Sequence, residues 1–153
     1  MLAAFASRGL NGHDVHMTLL APPDVVVLDF IFAMNRWEVF AWTARREATR
    51  SEDPSSHLRA VTQALAEVFA QHCTPRELTL ERASSFENPP RYDPSRETVV
   101  ELQVDTESSI VTTKRLTTAG SVRFQYGLVL AEGAWLIDRL RKRDGATWVP
   151  AAL

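Results

Sequence analysis

Residues 121–143 read SVRFQYGLVLAEGAWLIDRLRKR, and the period of this stretch decides the fold. Val122, Phe124, Tyr126, Leu128 and Leu130 fall on alternate positions, with Arg123 and Gln125 between them. Successive side chains of an extended chain point to opposite faces, so this alternation marks a strand with one buried side. Glu132-Gly133 supplies a two-residue turn into a further strand, Ala134 to Arg143. Working backwards, Ile110 to Leu116 reads as a strand between turns at 105–108 and 117–121. Before it, Val100, Leu102 and Val104 alternate with Val99, Glu101 and Gln103, predicting a half-buried first strand. Working forwards, Asp144-Gly145 turns once more ahead of Trp148-Val149. The C-terminal half is an antiparallel meander.

Upstream the period becomes helical. Pro22-Pro23-Asp24 is a helix-start signal, with Asp24 expected as the cap. Val26, Phe30, Ala33, Trp37, Phe40 and Ala44 form one apolar stripe, and Ile31, Met34 and Ala41 a second. A helix apolar around so much of its circumference is buried on more than one side. The valines at 25–27 would also suit a strand, but the period continues to Arg45-Arg46, which favours helix. A second helix is predicted from about Ser56, with Leu58, Val61, Leu65, Val68 and Phe69 on one face. It stops at Cys73-Thr74 because Pro75 cannot continue the hydrogen-bond ladder. Pro89, Pro90 and Pro94 bar a long regular element from residues 76–97, and a connection of that length packs specifically or carries function. Helices followed by a meander predict an α+β fold, the helices covering one sheet face.

The 153 residues suit a single domain over 21–153, with residues 1–20 an aperiodic tail or an overcalled start ahead of Met17. Seventeen basic residues against nineteen acidic ones give a net charge of −2, without the basic excess of duplex-binding proteins, so no nucleic-acid partner is expected. The lone Cys73 excludes an internal disulfide and a thiolate zinc cage, which makes a reducing cytoplasm the default. Residues 2–6 are too short an apolar run for an export signal, and Val25 to Met34, broken by Asp29, is too short to span a bilayer. No phosphate-binding glycine loop, dinucleotide fingerprint, zinc helix or serine elbow occurs, so neither a cofactor nor a metal is expected.

One nine-residue run, Phe30-Ile31-Phe32-Ala33-Met34-Asn35-Arg36-Trp37-Glu38, resembles the first-helix signature of the nuclear-transport-factor-2-fold immunity proteins of bacterial polymorphic toxin systems. Phe69 to Pro75, Ser84-Ser85-Phe86, Pro89 to Pro94 and Glu97 are similar to the same family, and the resemblance covers residues 24–150. It implies a cystatin-like cone, with N-terminal helices packed on a curved antiparallel sheet around a pocket. It also implies a cytoplasmic antidote that binds a cognate protein toxin without chemistry of its own.

Candidate sites carry competing readings. Asp138, between Leu136 and Leu140, is the best acid/base candidate, since burial among leucines raises a carboxyl pKa towards neutrality. With Asp29 and Tyr92 or Tyr126 it would make an isomerase- or dehydratase-like pocket, the alternative function. Otherwise Trp135, Ile137 and Arg139 face inward and Asp138 meets solvent or an arginine. Trp37 and Glu38 are candidate partner contacts, Glu38 equally a buried anchor for the proline-rich loop. Arg91 and Tyr92 are residue types enriched at interfaces, on a loop, where function concentrates. Arg139, Arg141, Lys142 and Arg143 can place cations along one strand face for an acidic or phosphate-bearing partner, or merely solvate an edge. His13 and His16 could chelate a metal or sit in the tail, while His57 and His72 near opposite helix ends read as structural. His72 is favourable there when charged, and Cys73 reads as a small buried hydrophobe. Val99, Val111 and Val129 are available for a homodimer patch on the exposed sheet face.

Overall fold

The computed structural model describes residues 20–153, so nearly all of the expected tail, including His13 and His16, lies outside the described residues. Helix α1 spans Pro23–Ala48. Pro23 opens it, its fixed φ suiting the first helical turn. Pro22 occupies the cap position and Asp24 makes no capping hydrogen bond; it lies in the first turn, where the helix dipole favours an acid. Phe30, Ile31, Ala33, Met34, Trp37, Ala41 and Ala44 are buried as the two stripes predicted, with two corrections: Val27 is buried in place of the partly buried Val26, and Phe40 is exposed. Helix α2, Pro54–His72, packs alongside through Val61, Leu65 and Phe69. The Trp37 indole N–H donates to the Val61 carbonyl at 3.0 Å, locking the two helices in register.

Five antiparallel strands follow in chain order: β1 Glu97–Val104, β2 Ser108–Thr117, β3 Gly120–Ala131, β4 Ala134–Asp144 and β5 Thr147–Ala151. Glu132 and Gly133 take φ values of 50° and 77°, the left-handed pair that a tight hairpin needs to match strand twist. A short helix α3, Leu80–Ala83, interrupts the proline-rich connection, its N-terminus capped by the Thr79 hydroxyl. The inner sheet face carries Val111, Phe124, Tyr126, Leu128, Trp135, Ile137 and Leu140, which join the helices in one core. The chain leaving α2 is pinned to β4, where the Thr74 N–H meets the Ile137 carbonyl at 2.9 Å.

Two irregularities set what the sheet presents. Opposite Gly127 and Leu128, β4 carries an extra residue, because Arg139 pairs with Gly127 while Ile137 pairs with Leu128. Asp138 is that extra residue, and the bulge lets both Ile137 and Leu140 face the core. The second irregularity lies at Val100 on β1. Val100, Leu102 and Val104 were expected to be a buried face, but all are exposed, Val104 at 53%. They sit on the outermost strand, and α1 covers mainly the inner strands. The three valines expected to share a dimer patch are also separated: Val111 is fully buried, Val99 partly so, and Val129 pairs with Leu136 on the outer side.

Candidate functional site

Two buried carboxylates organise the interior, and both bind protein. Glu38 sits on α1 with no exposed surface and accepts from the backbone N–H groups of Glu87 at 2.9 Å, Arg91 at 3.3 Å and Tyr92 at 3.0 Å. One turn earlier on the same helix face, the Asn35 amide donates to the Tyr92 carbonyl at 2.6 Å. Asn35 and Glu38 therefore clamp the proline-rich loop to α1 by its main chain. A loop whose buried amides are satisfied by a helix side chain holds one conformation without regular structure of its own.

The second carboxylate, Glu97, opens β1 directly opposite Arg115 of β2. It accepts from Arg115 Nε at 2.6 Å, the Thr113 hydroxyl at 2.7 Å and the Tyr126 hydroxyl at 2.9 Å. Arg115 is itself buried, its guanidinium lying 4.9 Å from the Tyr92 ring centroid and 4.2 Å from that of Phe124. Burial works against the Arg115 charge, but Glu97 and Tyr126 outweigh it and the net direction is upward. Burial and then Glu97 hold the Tyr126 hydroxyl well above the usual phenol range. Arg115 Nη2 is left without a partner. Phe30 stands edge-on to both Tyr92 and Tyr126, so rings and this ionic cluster fill the space beneath α1.

The residues expected to form an acid/base pocket are not brought together. Asp138 is exposed at the bulge, where it accepts from the Thr74 hydroxyl at 2.9 Å, while Arg76 donates to its backbone carbonyl at 2.9 Å. Burial among leucines fails because the bulge turns Leu140 inward and leaves Asp138 outside. Asp29 is exposed on α1, Tyr92 is buried and Tyr126 gives its hydroxyl to Glu97. Among the partner-contact candidates, Trp37, Glu38 and Tyr92 are at most 3% exposed, so burial removes their side chains from direct reach of another protein. Arg91 is partly exposed and donates to the Ser85 carbonyl and hydroxyl. Arg139 and Arg141 stand on the outer side of β4, opposite Gly127 and Gln125. His72 departs from the expectation of a charged helix end: burial pushes its pKa down, and Asp29 offsets this only in part. Burial pushes the Cys73 thiol up to about 12, which suits the reading of an inert hydrophobe.

A family model described as NTF2 fold immunity protein matches residues 22–150. The chain belongs to the NTF2-fold immunity proteins. Within the curated proteins, it is 28% identical over 125 residues to Immunity protein RhsIA of Dickeya dadantii (strain 3937), across 80% of this chain and 88% of that one. No solved structure matches the chain. In this NTF2-fold immunity protein, Phe30, Tyr92, Tyr126 and the Glu97–Arg115 pair occupy the space between α1 and the sheet. Asn35 and Glu97 lie in the family-like runs without a role assigned to them there, and Arg115 lies in none. Asn35 lies one helical turn from Glu38, but counting back from the 105–108 turn sets Glu97 against Leu116, and only the bulge at Val100 brings it opposite Arg115.

Proposed function

We propose that this chain neutralises a cognate protein toxin in the cytoplasm by binding it with a preformed surface, without catalysis. The observation that carries the reading is the family match across residues 22–150, the span that holds all three described helices and nearly all of the sheet. The filled interior supports it. The buried carboxylate Glu97 is taken up by hydrogen bonds from Thr113, Arg115 and Tyr126, which leaves it no free lone pair aimed at a substrate. The relative named as an immunity protein lends the same support. A reducing compartment suits a chain whose lone thiol is buried, and among the described residues no helix is long and apolar enough to cross a membrane. Binding then depends on a few well-placed anchors on a rigid frame, not on total contact area.

The direct test is co-expression of this chain with the toxin domain encoded beside its gene. Growth should recover and the two proteins should co-purify; unrelieved toxicity with no complex would remove the reading.

A further inference from the structure

The outer face of the sheet carries five cations against one acid, Glu101 of β1, which lies in the row of Thr112, Gln125 and Arg141. Register sets Lys114 of β2 directly opposite Arg123 of β3. On β4, Arg141 faces Gln125, with Arg139 and Arg143 two positions to either side. None of these five cations forms an ion pair among the described residues. Strands β2 and β3 contain no acidic residue. Glu101 accepts from Gln103 and Asp138 at the bulge accepts from Thr74, and neither forms an ion pair with a cation of the face. In a chain of net charge −2 this is segregation, not a basic composition.

Two features point to a use for that charge. Like charges directly opposite one another weaken a strand pair, so Lys114 against Arg123 costs stability that the fold gives no reason to lose. In addition, two of the arginines are held in place. Arg139 lies flat across Gly127, where any Cβ would come within 2.8 Å of its Cγ and Nε. The Arg143 guanidinium rests on the Trp148 ring, 5.4 Å from its centroid. Side chains ordered before binding lose less entropy when they bind.

We propose that this basic sheet face docks an acidic surface of the cognate toxin. The proposal rests on the immunity reading above and adds to it the contact surface and the partner's chemistry. Arginine predominates over lysine on the face, and its planar fork matches carboxylates in pairs. A second copy of this chain is a poor occupant, because a two-fold contact sets the same cations against themselves. Long nucleic acid is disfavoured by the net negative charge of the whole chain.

The experiment measures binding of the neighbouring toxin domain to the wild-type chain and to three variants, each checked for folding by circular dichroism. Lys114→Glu/Arg123→Glu/Arg141→Glu reverses the face. Arg123→Gln/Arg141→Gln is the milder version should the first not fold. Arg36→Glu/Arg46→Glu/Arg59→Glu makes the same change in net charge on the helices. The expected result is a loss of about 100-fold in affinity for the reversed face, a smaller loss for the neutralised pair, and wild-type binding for the helix variant. The wild-type association rate should also fall by about tenfold between low and high salt. Wild-type binding by folded face variants overturns the proposal while leaving the immunity reading intact, as does equal loss in the helix variant. Retention of a duplex DNA oligonucleotide by the wild type at physiological salt, abolished by the face variants, overturns it in favour of a polyanion. Absence of any toxin binding by the wild type removes both readings together.

Discussion

Glu38 shows how much structure one side chain can carry. Its carboxylate satisfies three backbone N–H groups of a segment with no regular structure beyond its short helix. Glu38→Ala would leave the buried Tyr92 N–H and the part-buried Glu87 and Arg91 N–H groups without their acceptor, and an orphaned buried group costs about 1–3 kcal/mol. The expected loss is about 3 kcal/mol or more in urea denaturation, with faster hydrogen exchange at the amides of Glu87, Arg91 and Tyr92. His72 provides a titration at the same scale. Its folded pKa lies below the ordinary value of 6.5 because it is half-buried against the edge of the Phe30 ring, with Asp29 partly offsetting the effect. The unfolded chain therefore takes up the proton first, and stability is lost as pH falls below about 6.5. Denaturation midpoints between about pH 7.5 and about pH 5 should fall less steeply in His72→Gln than in the wild type. An unchanged slope would mean that His72 does not contribute.

At the scale of elements, the Glu97–Arg115 pair joins β1 to β2, and the Tyr126 hydroxyl extends it to β3. Taking two charges out of water is costly, and removing one partner strands the other. Arg115→Met should destabilise the fold by about 3–5 kcal/mol, more than the double replacement Glu97→Met/Arg115→Met. Equal losses in the two variants would mean that Glu97 is not held by Arg115. The elements also show what was legible beforehand. Alternation along residues 122–130 placed Phe124, Tyr126 and Leu128 in the core correctly, because β3 is central and a helix covers its inner face. The same alternation at Val100, Leu102 and Val104 misled, since burial at an edge depends on whether a helix reaches it.

At the scale of the whole molecule, one core runs through α1, α2 and the sheet, with Trp37 and Trp135 buried at separate points within it. Helix and sheet should therefore unfold together. Tryptophan fluorescence and far-ultraviolet circular dichroism should give coincident midpoints in urea, and separated transitions would show that the layers are independent. Within that core Glu38 and Glu97 turn inward and bond to the loop and to neighbouring strands.

Local sequence alone determined the order of helices and strands and the hairpin turns, because these follow from period, proline position and the glycine demands of tight turns. Motif likeness also carried the immunity family. Tertiary structure alone decided that Asp138 lies outside on a bulge, that Glu38 and Glu97 are consumed inside, and that Lys114 stands against Arg123. Bulges and cross-strand register are set by the packing of a whole sheet against its helices, and no window of neighbouring residues contains that information.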